Sequence, residues 1–129
     1  MKAGTYWIGD LCYVLDSKWD EVCGLTIVDG KTIDGEFEMK DGTRFAMYGT
    51  AWGDGVYSDQ MGGAYPVDSG TIGCVLLSEI DEDADTDLGA IIEMEEDFET
   101  GYDSGIIIIG HIEIQTASDE DYEDEDEDY

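Results

Sequence analysis

The chain has 129 residues, and its 34 Asp and Glu against five Lys and Arg give a formal net charge of −29. Apolar residues make up 42%, too many for an intrinsically disordered chain, and no run of 18 apolar residues is present to form a transmembrane helix. We therefore predict one mainly β domain, residues 1–117, and an acidic tail, residues 118–129, which its like charges should keep extended and disordered.

The acidity is not confined to the tail. The tail, SDEDYEDEDEDY, holds nine carboxylates, so 25 remain in residues 1–118 against five basic residues. Such a charge costs self-repulsion and does nothing for the fold. Adaptation to high salt and a solubility tail are two ordinary explanations, and an acidic surface that meets a basic partner is the functional one. Direct binding of nucleic acid is excluded, because five basic residues cannot hold a phosphate backbone.

Charge density limits what the surface can imitate. A compact protein of this size exposes about 6,800 Å², which gives about one net charge per 230 Å². Duplex DNA carries roughly one per 110 Å². The protein therefore reaches the density of DNA only if its carboxylates are segregated to one side.

The first forty residues predict two strands and a short helix. TYWIG (5–9) and LCYVL (11–15) are rich in apolar and aromatic residues, with Asp10 at a bend between them. Ser17 and Asp20 have the spacing of a capping box and predict a helix of under two turns that ends at Gly24.

Two hairpins follow. In residues 35–50 a three-residue loop with Gly42 in the left-handed region pairs Phe37 with Phe45 and Glu38 with Arg44, so we prefer it to a two-residue turn. A second hairpin should turn near residues 61–63 and place Pro66, the only proline, on an edge strand or a bulge.

The second half predicts three more strands. Residues 71–79 read as a core strand and 91–99 as an amphipathic one. In 106–115 a single strand would turn Ile106, Ile108, Ile112 and Ile114 inward and Ile107 and Ile109 to the opposite face. The expected fold is an antiparallel sandwich or barrel of about seven or eight short strands with one short helix.

The strand at 91–99 supplies the candidate site. Acids on alternate positions stand about 6.8 Å apart, close to the roughly 7 Å between phosphates along a DNA strand. A solvated sheet face is the ordinary alternative. The predicted partner-binding residues comprise this ladder, the preceding acidic loop and the start of the tail: Glu93, Glu95, Asp97, Glu99; Asp81, Glu82, Asp83, Asp85, Asp87; Asp119, Glu120, Asp121.

Metal and cofactor sites are not predicted. An EF-hand loop starting at Asp81 would need Gly at its sixth position and Glu at its twelfth, but Thr86 and Ile92 stand there. A loose, weak divalent-cation site on the clustered carboxylates stays open. Three cysteines without C-x-x-C spacing indicate reduced thiols in a cytoplasmic protein, and no secretory h-region is apparent in MKAGTYWIGD.

Catalysis is not expected, because no nucleophile–base pair, phosphate loop or cofactor motif is present. His111 is interpreted as a surface residue and Cys12 as a buried thiol. The alternative is a small enzyme or ligand-binding protein that uses Asp10, Cys12 and the Gly-rich, aromatic stretch 48–59.

GTYWIGDLCYVL (4–15) resembles the opening of a group of uncharacterised small phage and bacterial proteins with the pattern G-x-Y-x-I-G-D-x-C-Y-V. Leu11 stands where that group has Pro, and the likeness extends to about residue 75 through YGTAWGDGVYSDQ and VDSGTIGCV. The resemblance implies no activity. In size and charge, though not in motif, the chain is similar to the acidic DNA-mimic inhibitors that phages make against restriction or other host defence enzymes.

The sequence thus predicts an inhibitor, monomeric or homodimeric, that occupies the basic surface of a nucleic-acid-handling protein, in the host cytoplasm if phage-encoded. It would need no cofactor and no membrane. An immunity protein against a basic toxin would share this mechanism.

Overall fold

The computed structural model describes residues 1–50, 53–80 and 83–116, in which ten strands form two five-stranded antiparallel sheets. The first sheet contains, in spatial order, β4 (Gly35–Glu38), β5 (Arg44–Gly49), β8 (Thr71–Leu76), β1 (Gly4–Gly9) and β9 (Gly89–Met94). The second contains β10 (Thr100–Asp103), β11 (Ile106–Ile109), β12 (Ile112–Gln115), β6 (Gly55–Asp59) and β7 (Ala64–Val67). A two-stranded ribbon, β2 (Ile27–Val28) with β3 (Lys31–Thr32), follows the helix α1 (Trp19–Thr26).

The predicted sandwich is confirmed, with more strands than expected. The two sheets enclose one apolar core, because alternate residues of each strand point inward. On β1, Tyr6 and Ile8 point into this core, and β11 and β12 supply four fully buried isoleucines from the other side: Ile107, Ile109, Ile112, Ile114.

The first sheet is covered on its other face as well. Trp7, which alternates with Tyr6 and Ile8, packs with Phe45 and Val75 against the segment that contains α1. That segment contributes four buried apolar residues, Leu11, Val14, Leu15 and Val22. Three layers result: the helical segment, the first sheet and the second sheet.

Both predicted hairpins are confirmed. Phe37 pairs with Phe45 and their rings stack at 5.4 Å, while Glu38 pairs with Arg44. Gly42 has φ +92°, as the three-residue loop requires. The second hairpin joins β6 to β7, and Pro66 lies on β7, an edge strand.

The region 11–26 differs from the prediction. Residues 11–15 are not a strand, because Leu11–Tyr13 form a 3₁₀ turn. The spacing of Leu11, Val14 and Leu15, three and four apart, buries all three on one side of a helical path. The predicted capping box is also wrong: Lys18 precedes the helix, which runs past Gly24 to Thr26.

The run 106–115 is a hairpin rather than one strand. β11 and β12 pair with Ile109 opposite Ile112, so Gly110 and His111 form a two-residue turn. Gly110 has φ +60°, which suits the first position of a type II′ turn. The turn resets the alternation, so Ile107 and Ile109 point inward and Ile106 and Ile108 outward, the reverse of the prediction for β11.

Among the described residues no helix has the length and apolar character needed to cross a membrane. The predicted domain boundary after residue 117 and the tail lie outside the described residues.

Candidate acidic interaction surface

Basic residues occupy one part of the chain. All five fall within residues 1–44: Lys2, Lys18, Lys31, Lys40, Arg44. They lie before β1, in the helical segment and its ribbon, and around the β4–β5 hairpin. The strands β6 to β12 carry no Lys or Arg. Every strand of the second sheet, together with β8 and β9 of the first, is therefore free of basic side chains.

Carboxylates are dense in the same stretch. Residues 53–80 and 83–116 contain fourteen: Asp54, Asp59, Asp68, Glu79, Asp83, Asp85, Asp87, Glu93, Glu95, Glu96, Asp97, Glu99, Asp103, Glu113. Ion pairs between described residues engage three carboxylate side chains in all, those of Glu36, Asp41 and Asp97. Most carboxylates in the described part of the chain thus face solvent with no cation beside them.

The predicted acidic loop is partly described. Asp83, Asp85 and Asp87 are exposed and lie just before β9. The carboxylate of Asp85 accepts the backbone N–H of Asp87 at 3.0 Å and so caps the 3₁₀ turn Thr86–Leu88. Asp81 and Glu82 lie outside the described residues, as do Asp119, Glu120 and Asp121 of the tail.

The predicted strand 91–99 is too long, because β9 ends at Met94. Gly4 pairs with Met94, but the next exchange of hydrogen bonds joins Met1 and Phe98, at 2.8 and 2.9 Å. Between these two pairs, Lys2 and Ala3 of the N-terminal segment therefore face three residues, 95 to 97, of the other segment. This extra residue is a β-bulge, which breaks the alternation on which the ladder depended.

Of the predicted ladder, only Glu93 lies on the strand. Glu95, Asp97 and Glu99 are all exposed but follow the bulge, so they do not continue a row at strand pitch. Glu96, not predicted as a site residue, is exposed beside them. The acids of residues 95–99 therefore form a bend, which we call the acidic bend, rather than a ladder.

Asp97 has a structural role. Its carboxylate accepts the backbone N–H of Ala3 at 2.9 Å and lies 3.6 Å from the ammonium of Lys2. The Ala3 hydrogen bond, helped by the charge of Lys2, lowers the pKa of Asp97 below its ordinary value. This carboxylate fastens the N-terminal residues to the bend and is less free than its neighbours to meet a partner.

The bend borders a shallow groove of about 490 Å³. Glu93, Glu95, Glu96 and Asp97 line it together with His111 of the β11–β12 turn. Our interpretation of His111 as an exposed residue is consistent with its place in the turn. In the described residues, no group of three or more His, Cys, Asp or Glu side chains is arranged to hold a metal ion.

Asp10 is the fully buried carboxylate of the described chain. Its Oδ1 accepts the backbone N–H of Cys12 at 3.0 Å and the hydroxyl of Ser69 at 2.8 Å. Its Oδ2 accepts the backbone N–H groups of Asp68 and Ser69 at 2.7 and 2.6 Å. Four donors replace the water that the carboxylate loses, and together they join the end of β1 to the β7–β8 loop.

This network was not foreseen from the sequence. Asp10 was predicted at a bend and as part of an alternative site, whereas its Asp68 and Ser69 partners lie 58 and 59 residues away. The sequence signal that could have indicated this network is a lone Asp inside the apolar run 6–15. A carboxylate buried there needs hydrogen-bond donors from another part of the chain.

Cys12 is half-buried rather than buried as predicted, and its environment does not favour nucleophilic chemistry. Burial, together with a hydrogen bond to Asp10 and its charge, raises the pKa of the Cys12 thiol to about 12. The thiol is therefore protonated at neutral pH, and a thiol is a poor nucleophile. Burial likewise raises the pKa of Cys74, in the sandwich core, to about 12.

The stretch 48–59 is partly described, with Ala51 and Trp52 outside the described residues. Tyr48 is buried in the core, and its hydroxyl lies 2.7 Å from the Thr100 hydroxyl. The Tyr57 hydroxyl donates to the Gly53 carbonyl at 2.8 Å. Both tyrosine hydroxyls thus have partners within the fold.

Comparison of the chain with protein families, with curated proteins and with solved structures finds no match.

Proposed function

We propose that this protein is an acidic inhibitor that occupies the nucleic-acid-binding surface of a basic partner protein. The proposal is supported above all by the uneven placement of charge. The five basic residues accompany the helical segment, the N-terminus and the β4–β5 hairpin, while the strands of the second sheet carry no Lys or Arg. In the acidic bend, Lys2 lies beside Asp97, and the other acids form no ion pair among the described residues. A nucleic-acid-binding protein presents the complementary arrangement, a surface dominated by Lys and Arg.

The acids that face solvent next to β9 are the best candidates to stand in for phosphates. They precede the strand as Asp83, Asp85 and Asp87, and they follow it in the bend as Glu95, Glu96 and Glu99. A bulged segment follows a curved path, as a phosphate backbone does, so the proposal does not depend on a straight ladder. Asp97 serves to hold this segment in place.

Charge of this size acts chiefly on association. Opposite surface charges steer two proteins together and raise the association rate 10- to 1,000-fold at low salt. The screening length falls from about 10 Å at 0.1 M salt to about 3 Å at 1 M. Binding by this mechanism weakens steeply with salt.

A phage counter-defence role in the host cytoplasm is part of the proposal. It is supported by similarity in size and charge to phage-made DNA mimics and by the resemblance of residues 4–15 to small phage and bacterial proteins. An immunity protein against a basic toxin is the variant that shares the mechanism. The proposal gives Asp10 and Cys12 structural roles and requires no catalytic residue.

The test is capture from a host lysate on the immobilised protein at about 0.1 M and about 1 M NaCl. We expect a basic DNA- or RNA-handling protein that is retained at low salt and released at high salt. The matched control replaces Glu93, Glu95, Glu96 and Glu99 by Gln and should retain less of it. If no basic protein were recovered at low salt, the proposal would be refuted.

A further inference from the structure

The strand β9 lies at an open edge of the first sheet. Among the described residues it pairs with β1 alone, so no described strand runs along its other side. An edge strand presents unpaired backbone N–H and C=O groups on such a side, and these groups can pair with another chain. We call this side of the strand, residues 89–94, the β9 edge.

The β9 edge leaves apolar side chains incompletely covered on both faces of the sheet. Ile92 and Ala90 pack towards the sandwich core but are only half-buried. Their partners on β1, Tyr6 and Ile8, are fully buried. On the opposite face, Ile91 is 52% exposed. A further strand laid along β9 would remove apolar surface from water on both faces, which stabilises the added contact.

The other edges of the two large sheets are less suited to accept a strand. The edge strands β4, β7 and β10 have four residues each, whereas β9 has six. β4 carries Glu36 and Glu38, and Pro66 on β7 has no N–H to donate. Short length, charge and proline are the features by which natural edge strands avoid pairing. β9 carries a single charged residue, Glu93, and no proline.

Acids stand at both ends of the β9 edge. Asp85 and Asp87 are exposed just before the strand, and Glu95 and Glu96 are exposed just after it. None of the ion pairs between described residues engages these four or Glu93. The edge therefore complements an extended segment that has apolar residues at its centre and Lys or Arg towards its ends.

We propose that an extended segment of the basic partner adds to the β9 edge as a sixth strand of the first sheet. This inference rests on the proposed function and adds to it the mode of docking. Backbone hydrogen bonds to β9 supply affinity, and the alternate side chains of the segment supply specificity. Ile91 and Glu93 share one face, so the segment sets an apolar residue beside Ile91 and a Lys or Arg beside Glu93.

A second copy of this chain fits the β9 edge poorly. An antiparallel pair of β9 strands centred on residues 91 and 92 would set residues 83–87 of one copy opposite the acidic bend of the other. Both segments are acidic, and like charges that face one another on paired strands are destabilising. A basic segment replaces this repulsion by attraction.

The experiment uses a synthetic peptide of alternating Arg and Val and a copy in which every peptide nitrogen is methylated. The two peptides have the same charge and side chains, but the methylated copy has no N–H to donate to a strand. Each is titrated into the full-length ¹⁵N-labelled protein at about 0.1 M NaCl. We expect the unmethylated peptide to bind about tenfold more tightly, to shift the amides of residues 89–94 and to slow their hydrogen exchange.

Two variants of equal charge test the β9 edge from the side of the protein. Ile91→Lys sets a cation in the middle of the edge and should weaken the unmethylated peptide about tenfold. Val56→Lys is the control, because Val56 is 69% exposed on β6 of the second sheet. It changes the net charge equally and should leave the affinity within about twofold of wild type.

The outcomes distinguish the two proposals. Equal affinity for the two peptides, equal weakening by the two variants, or shifts confined to residues 95–99 would overturn strand addition and leave the acidic inhibitor intact. If neither peptide bound at low salt, the electrostatic attraction itself would be refuted, and strand addition with it. Concentration-dependent shifts of residues 89–94 without peptide would make a second copy the occupant and overturn the inference.

Discussion

Asp10 and Ser69, 59 positions apart, are joined by two hydrogen bonds: the Ser69 hydroxyl donates to Oδ1 of Asp10 at 2.8 Å and the Ser69 backbone N–H to Oδ2 at 2.6 Å. The link fastens the loop after β7, in the second sheet, to the end of β1, in the first. A buried carboxylate at this junction fixes how the two sheets meet at this end of the sandwich.

Replacing Asp10 by Asn should lower the free energy of unfolding by about 3 kcal/mol. The amide has one acceptor oxygen instead of two, so buried backbone N–H groups lose their partner. Urea unfolding followed by far-UV circular dichroism measures the change. Asp29→Asn, at an exposed position, is the control and should stay within about 0.5 kcal/mol. An Asp10→Asn protein as stable as the wild type would contradict the role given to this network.

Asp59 should make stability depend on pH. Burial alone would raise its pKa, but hydrogen bonds from the Tyr65 hydroxyl and from backbone N–H groups of the β6–β7 loop lower it. A folded pKa below the unfolded value of about 3.9 stabilises the protein above that pH, and the effect is lost as pH falls through the folded pKa.

The measurement compares wild type with Asp59→Asn in urea, at about 0.5 M salt to screen general repulsion. We expect the variant to be less stable by about 1 kcal/mol at pH 7 and the difference to shrink below about pH 4. A difference that stays constant down to pH 3 would exclude Asp59 as its source.

Local pairing was predictable wherever neighbouring residues decide it. The register that puts Phe37 on Phe45 also joins Glu38 to Arg44 and gives Gly42 the loop position that needs a positive φ. Several local preferences agree at this hairpin, so the sequence alone was sufficient to predict its register. Pro66 on an edge strand followed from its missing N–H in the same way.

Distant contacts explain where prediction failed. Residues 91–99 alternate as a strand except at Glu96, which interrupts the apolar face. β9 stops at Met94 because Met1 and Ala3 bind Phe98 and Asp97. Nothing near position 95 in the sequence announces that contact. In the run 106–115, Gly110 was a visible turn signal, but the isoleucines on both sides gave equally good alternation without it.

Cys12 should react slowly with alkylating reagents. With its pKa raised to about 12, the thiolate fraction at pH 8 is on the order of 100-fold or more below that of a free cysteine. Iodoacetamide labelling with peptide mass analysis, in buffer and in urea, measures the ratio at Cys12. Labelling as fast in the folded protein as in urea would contradict a protonated, structural thiol and revive an active-site role.

The bend beside β9 should contribute to partner binding through charge. Replacing Glu93, Glu95, Glu96 and Glu99 by Gln should weaken a basic partner about tenfold at low salt, with little effect at high salt. Isothermal titration at two salt concentrations tests this. Asp97→Asn should in addition lower stability, because Asp97 holds Ala3. A salt-independent loss would indicate shape rather than charge.

The tail should act on the association rate. Replacing its nine carboxylates by Asn and Gln keeps its length and should slow association about tenfold at low salt, with the dissociation rate within about twofold of wild type. Stopped-flow mixing with the captured partner measures both. A faster dissociation with unchanged association would place the tail in the docked contact instead.

The most direct test of the central claim is competition between this protein and nucleic acid for the captured partner. Fluorescent DNA or RNA bound to that partner is titrated with the protein at low salt, and anisotropy is read. We predict complete displacement at one protein per nucleic-acid-binding site. A partner that binds this protein while its affinity for nucleic acid stays unchanged would contradict the account.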